Sequence, residues 1–402
     1  MKLNRTLIGA AALAGALTVA AGGSAFAAQT PDDTNTTSDT TYVAVGSDTA
    51  DDIIQALSTS LSDGSGPFIS SYRATPPATG TTSITTKSAA VSVNCANFHR
   101  PNGSGDGLNA LSAAVQGQSY GSATTGGISA NMTNCVQIAR SSSGSNPSNV
   151  TPAGALTYVP YAIDSVSYAT IGGSSILKNA DLSLLKTIYT KNGVPGTTDC
   201  GGIAGKWAPL IPQAGSGTRN FWAQIIGIST ANRGTIDTTK LATTPADPTA
   251  WGSCVRDTVG GLPVQEHDGT VLTAAGSIVP FSTAQFISQG AQVIQDKRGG
   301  RTVLNAIDFD NAGGANSVSP FILQQNFKSA TTAANDNTRP IYNVVETAKL
   351  ASDTRLAGLI SGPTSTLCSS ATAKALIQRF GFDLPPLSGG TVNCGDITKK
   401  NT

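Results

Sequence analysis

Apolar and polar positions along the chain fall into a repeated pattern. Tyr42-Val43-Ala44-Val45 is a short apolar run that reads as a strand. It enters the small polar stretch Gly46-Ser47-Asp48-Thr49, after which Ile53, Ile54, Leu57 and Leu61 recur at helical spacing. Val91, Val93 and Cys95 alternate as in a strand, Arg100-Pro101-Asn102-Gly103-Ser104-Gly105-Asp106 follows, and Leu108, Leu111 and Val115 continue as a helix. The pattern returns at Pro209-Leu210-Ile211-Pro212: Gly215-Ser216-Gly217-Thr218 opens a helix in which Phe221 and Ile225, and Trp222 and Ile226, repeat at i,i+4. Three times, a strand runs through a small polar loop into a helix.

The remaining pattern extends this alternation. Ala155 to Asp164 is an apolar, extended run with Pro160 inside it and reads as a strand crossing between two lobes. Asp181 to Tyr189 reads as a short helix with an acidic start, and Ser277 to Ser282 as a second extended run that serves as the return crossing. Thr338 to Val345 reads as a strand, and Leu376, Ile377 and Phe380 mark a late helix. Strands alternating with helices predict an α/β fold, whose ligands bind where loops meet at the carboxyl ends of strands.

The first residues change the picture of where this chain works. Lys2 and Arg5, an Ala/Leu/Val-rich run and Ala25-Phe26-Ala27 make Met1 to Ala27 a secretory signal, too short to be a membrane anchor. No cysteine lies near the cleavage site, so no lipid anchor is expected, and Gln29 to Thr41 reads as a flexible leader. Losing two basic residues takes the formal charge from +1 to about −1, which leaves no electrostatic footprint for nucleic acid. Six cysteines in an exported chain suggest disulfides. Sequence alone does not separate the possible pairings; Cys95–Cys135, Cys200–Cys254 and Cys368–Cys394 are preferred because each stays local. With His99 and His267 as the only histidines and no CxxC, neither a metal site nor a cofactor is expected.

A Gly-rich turn that opens a helix exposes N–H groups without internal partners and, with the helix dipole, forms an anion site. Ser216 and Thr218 can cap such a helix and also donate to a ligand. Competing chemistry is weaker. Glu266-His267-Asp268-Gly269 sets acid beside base, but adjacent residues do not make a triad and there is no G-x-S-x-G elbow, so His267 reads as a turn or surface histidine. Asp308-Phe309-Asp310-Asn311 lacks the twelve-residue calcium-loop pattern, and Gly201 to Lys206 lacks the Ser/Thr of a P-loop. No enzyme is expected.

Taken in order, the loops resemble those of the phosphate-binding (PstS-like) receptors of ABC transporters. Val45-Gly46-Ser47-Asp48-Thr49, Asn102-Gly103-Ser104-Gly105 and Ala139-Arg140-Ser141-Ser142 are similar to the family's first three ligand loops, and Gly215-Ser216-Gly217-Thr218 to its Ser-Gly-Thr signature. Val159 to Asp164 resembles its first crossing and Arg339-Pro340-Ile341-Tyr342 its late strand. The resemblance implies a two-lobed type 2 periplasmic-binding-protein fold with a two-stranded hinge. After the signal (1–27) and leader (28–41), residues 42–157 and 284–402 would form one lobe and 158–283 the other. It also implies a phosphate-like oxyanion held by Thr49, Ser104, Ser142, Ser216, Gly217 and Thr218, with a transporter permease as partner and the protein monomeric. The chain departs from the family at two points. Pro212-Gln213-Ala214-Gly215 stands where the family has an Arg, and Ser142 where it has an Asp that accepts the proton of hydrogen phosphate. Arg100, Arg140 and Arg219 lie beside the loops and are expected to supply the charge; Asp48 and Asp106 are candidates for the carboxylate. The alternative is an exported or cell-surface protein of the same fold with another ligand or none.

Overall fold

The computed structural model describes residues 41–61, 67–76, 82–122, 127–144, 155–172, 180–194, 197, 200, 207–308, 337–386 and 392–401. The expected signal, most of the leader, Gly201 to Lys206 and Phe309 to Asn311 lie outside them.

The fold is mixed α/β. Tyr42–Gly46 (β1) is buried along its whole length and pairs in parallel with Ile69–Ser71 (β2) on one side and Ile138–Ser141 (β3) on the other. A parallel strand covered on both faces needs no polar alternation, and its side chains divide accordingly. Tyr42 and Ala44 pack with Ile53, Ile54 and Leu57 of helix Asp51–Ser60 (α1) and Ile377 of a late helix. Val43 and Val45 pack with Leu108 and Leu111 of helix Ser104–Gln116 (α2).

Leu156–Ile171 (β4) is a fully buried strand of 16 residues whose two halves have different partners. Residues 156–165 pair with Thr338–Glu346, whereas 166–170 pair with Ser277–Ser282 and 168–171 with Thr302–Asn305, all antiparallel. Ala208–Pro209 (β5) extends the far side in parallel with Ser277–Ser282 (β6). Around the far half of β4, one face buries Tyr168, Ile188 of helix Leu182–Thr190 (α3), Trp222 of helix Gly217–Ile225 (α4) and Ile278. The other face buries Ala169, Val279, Phe281 and Phe286 of helix Thr283–Gly290 (α5). The expected crossing strand is therefore present and joins two packing centres. Pro160, which has no N–H to give a ladder, falls where the register with Thr338–Glu346 slips: Ile341 faces Ala162 but Tyr342 faces Pro160.

One expected element differs. Val93–Cys95 is a single 3-10 turn, not a strand; Val91 and Val93 are exposed while Cys95 is buried and bonded to Cys135. That spacing reflects a cysteine anchor and not a sheet face. After Ser277–Ser282 the chain touches both centres: Ala284, Val293 and Ile294 pack with the first, while Phe286 packs with the second and Thr302–Asn305 (β7) pairs with the far half of β4. β6 ends where Ser282 caps α5, and the chain rejoins the near half at Thr338–Glu346 (β8), whose first residue faces Ser165. Cys95–Cys135, Cys200–Cys254 and Cys368–Cys394 are bonded as preferred, a pattern that fits an oxidising compartment.

Candidate oxyanion-binding site

The three loops read from the sequence meet where the two packing centres touch. Glycines make the approach possible. At Gly46 (φ 107°) a Cβ would lie 2.8 Å from the Arg140 carbonyl oxygen, and at Gly103 (φ 104°) it would lie 2.7 Å from that of Gly215. Both positions demand a left-handed backbone and close packing that only glycine allows. The Gly105 N–H donates to the Gly215 carbonyl (2.9 Å), and Asn102 is bonded to both Gln213 and Gln265 across the junction (3.1 Å each).

Helix α4 starts inside this junction. Ser216 caps it, its Oγ accepting from the Arg219 N–H at 3.0 Å. Gly217 comes next because there is no room for more: a Cβ there would sit 2.3 Å from Ser104 Oγ and 2.4 Å from Ser142 Oγ. Those two hydroxyls are 3.3 Å apart, and Ser47 Oγ donates to Ser142 Oγ at 3.1 Å. Thr218 Oγ1 lies 3.5 Å from Thr49 Oγ1. Ser47, Thr49, Ser104, Ser142, Ser216 and Thr218 are all fully buried. The structure thus brings together Thr49, Ser104, Ser142, Ser216, Gly217 and Thr218.

It does not bring the three expected arginines to them. Arg219 donates to the carbonyls of Pro212, Arg233 and Gly234 and pairs with Asp257 at 3.0 Å. Arg140 donates to the carbonyls of Ala44, Gly46 and Ser47 and so props the first loop from beneath. Arg100 donates to the carbonyl of Arg73. The cause is common to all three: each buried arginine is taken up by nearby backbone carbonyls that need a donor.

The arginine in the cluster is Arg339 on β8. Nε and Nη2 clasp Asp164 Oδ2 at 3.1 and 2.8 Å, directly across the register of β8 and β4. Nη2 also donates to Thr49 Oγ1 (3.2 Å) and Thr218 Oγ1 (3.1 Å), while Nη1 is buried and has no partner among the described residues. Asp164 is held by the Ser282 hydroxyl and the Ala284 N–H through its other oxygen.

The carboxylate in the cluster is neither Asp48 nor Asp106 but Glu266, which is buried with His267 instead of lying on a surface turn. Glu266 Oε2 accepts from Thr49 Oγ1 (2.9 Å) and Thr218 Oγ1 (3.1 Å), and Oε1 accepts from the Thr218 N–H at the α4 N-terminus (3.4 Å). Burial pushes this carboxyl up, but the bond from His267, the charge of Arg339 and a bond from Ser216 outweigh it. They hold Glu266 well below the usual carboxylate range. Asp48, at the edge of the cluster, is pushed up to about 6 by burial, with nearby Lys297 opposing.

His267 takes a left-handed backbone (φ 59°) that turns its ring inward. Its Nδ1 accepts the Ser282 N–H at 3.2 Å, which puts the ring proton on Nε2. Nε2 faces Thr49 Oγ1 at 2.9 Å and Glu266 Oε2 at 3.2 Å. A nitrogen that already carries its proton cannot take one from Thr49, so Thr49, His267 and Glu266 are not a nucleophilic triad. The missed groups left a trace: Glu266 stands beside His267, one of two histidines, and Arg339 is the second residue of a strand that carries Ile341, Val344 and Val345.

No protein-family model matches this chain, and no curated protein matches it. Among solved structures it is similar to an ABC-type phosphate transport receptor from Vibrio cholerae (14% identity, TM-score 0.43), covering 86% of this chain and 100% of that one. It is likewise similar to the high-affinity periplasmic phosphate-binding protein PfluDING bound with phosphate (13%, TM-score 0.46; 89% of this chain, 97% of that one). A phosphate-binding protein from Stenotrophomonas maltophilia is a third (11%, TM-score 0.41; 90% and 97%). At these identities and TM-scores the function has to be read from the site's own residues.

Proposed function

We propose that this chain is an exported solute-binding protein that holds a tetrahedral oxyanion, phosphate first, between two lobes. The observation that carries the reading is the α4 N-terminus. Hydroxyls from four separated segments, Thr49, Ser104, Ser142 and Thr218, converge there with a buried Arg339 whose Nη1 has no partner among the described residues. A helix start attracts negative charge, and a two-pronged guanidinium recognises oxyanions. Ser216, Gly217 and Thr218 form the helix end of the site. Arg100, Arg140 and Arg219 support its loops and are not assigned to the ligand. The secretory signal and three disulfides support export, into a periplasm or outside the cell. A transporter permease is the natural partner of such a monomer.

Calorimetry with phosphate, sulfate and arsenate on wild type and on Ser104→Ala/Ser142→Ala tests this. Each lost hydroxyl bond to a ligand oxygen costs on the order of 1–3 kcal/mol, so the double variant should bind at least about tenfold more weakly. Binding untouched by the double change places the anion elsewhere. If wild type binds no oxyanion at millimolar concentration, the second reading takes over: a protein of this fold with another ligand or none. One observation favours that second reading, the carboxylate of Glu266 already seated on the Thr218 N–H.

A further inference from the structure

We propose that Glu266 is an internal ligand of the oxyanion site and sets its specificity, so that an external anion binds only by displacing the Glu266 side chain. The inference rests on the oxyanion reading above and adds what regulates that site.

Glu266 is bonded as a bound anion would be. One oxygen takes the helix N–H of Thr218; the other takes the hydroxyls of Thr49 and Thr218, whose oxygens in turn receive Arg339 Nη2. The Ser216 hydroxyl adds to this set. The side chain is 0% exposed, so these contacts are made without competing water. Held below the usual carboxylate range, it stays charged at neutral pH and competes throughout.

Tethering gives this competitor a local concentration on the order of millimolar or above. A free monocarboxylate such as acetate offers the same two oxygens and gains nothing over Glu266. A tetrahedral oxyanion has further oxygens to offer. The Ser104 and Ser142 hydroxyls lie against Gly217, one residue from Thr218, and Arg339 Nη1 is unpartnered among the described residues. An anion that reaches them gains bonds that Glu266 does not make. The internal carboxylate therefore rejects small carboxylates and admits tetrahedral anions, a discrimination made by what must be displaced. Displacement is local, because Glu266 lies on an irregular segment between Leu262–Pro263 and Gly269–Val271.

The test is calorimetry with inorganic phosphate and with acetate on wild type, Glu266→Ala and Glu266→Gln, each checked for native circular dichroism. Wild type is expected to bind phosphate and not acetate. Glu266→Ala should bind phosphate at least about tenfold more tightly and take up acetate in the space left. Thermal melts give a second readout: both anions should raise the Tm of Glu266→Ala in proportion to log concentration, whereas acetate leaves wild type unmoved. Equal phosphate affinity in wild type and both variants would overturn the internal-ligand proposal while leaving the oxyanion reading intact. Weaker phosphate binding in Glu266→Ala would also overturn it, making Glu266 a direct contact of the ligand. Absence of binding in all three proteins would sink both ideas together.

Discussion

Arg339→Met isolates the ion pair on which the junction depends. The guanidinium and the Asp164 carboxylate are both buried, with side chains 2% and 0% exposed, and meet through two nitrogens on one oxygen. Removing one partner of a buried pair leaves the other charge uncompensated, at a cost of about 3–5 kcal/mol. The lower end applies here, because Asp164 Oδ1 keeps the Ser282 hydroxyl and the Ala284 N–H and only Oδ2 is orphaned. About 3 kcal/mol is still a large share of a domain's net stability of roughly 5–15 kcal/mol. Asp164→Asn should relieve most of it in the double variant, since a neutral amide needs no counter-charge. A coupling energy of about 1–3 kcal/mol is expected from the cycle. Arg339→Lys should fall between, keeping the charge and losing the fork. Urea titrations read the midpoints at constant m-value. A loss below about 1 kcal/mol in Arg339→Met, or strict additivity in the double variant, would refute the view that this pair holds β8 to β4.

Other outcomes follow from the same geometry. Gly217→Ala should cost about 1–3 kcal/mol by overpacking and weaken anion binding, since its Cβ would meet two serine hydroxyls at 2.3 and 2.4 Å; thermal melts and calorimetry read the two effects. Asp48 titrates near 6 in the folded protein against 3.8 ordinarily, so the stability tied to its protonated form is lost as pH rises from about 4 to about 6. Asp48→Asn should therefore gain Tm relative to wild type at pH 7 compared with pH 4, and an identical difference at both pH values would contradict this. Alkylation without reductant should modify no cysteine, and removing Cys95–Cys135 by a double serine change should cost about 2–5 kcal/mol in urea. Intact mass of exported protein should start at Ala28.

What could be read from the sequence is what local pattern encodes. β1, α1, α2, α4, the long strand at Leu156 and the three cysteine pairs carry their signal in periodicity, in glycine-bounded loops or in proximity along the chain. Several hydroxyls that meet at the junction were readable for the same reason: Thr49, Ser104, Ser216 and Thr218 each sit at a strand-to-helix loop. Glu266, His267 and Arg339 were not, because their roles come from pairing at long range. Arg339 meets Asp164 across a register between positions 175 residues apart, and Glu266 meets Thr49 over 217. No window of sequence contains either contact. Val93 misled in the opposite direction, since alternation around a disulfide anchor has the same period as a strand.

The placement of the charge has a mechanical consequence. An arginine on a ligand loop can follow its loop, but Arg339 is the second residue of β8, fixed to Asp164 on the strand shared by both packing centres. Asp164 is bonded in turn to Ser282 and Ala284, where β6 ends and α5 begins. α5 then reaches back to the first loop, with Gln285 Nε2 donating to the Thr49 carbonyl, and to the Glu266 segment, with Gln289 Nε2 donating to the His267 carbonyl. The guanidinium, the loop at Thr49 and the Glu266 backbone are thus braced on one helix and one strand pair. An anion that moves the Glu266 side chain does so against a fixed arginine, so the displacement changes what the site holds without having to rebuild the site that holds it.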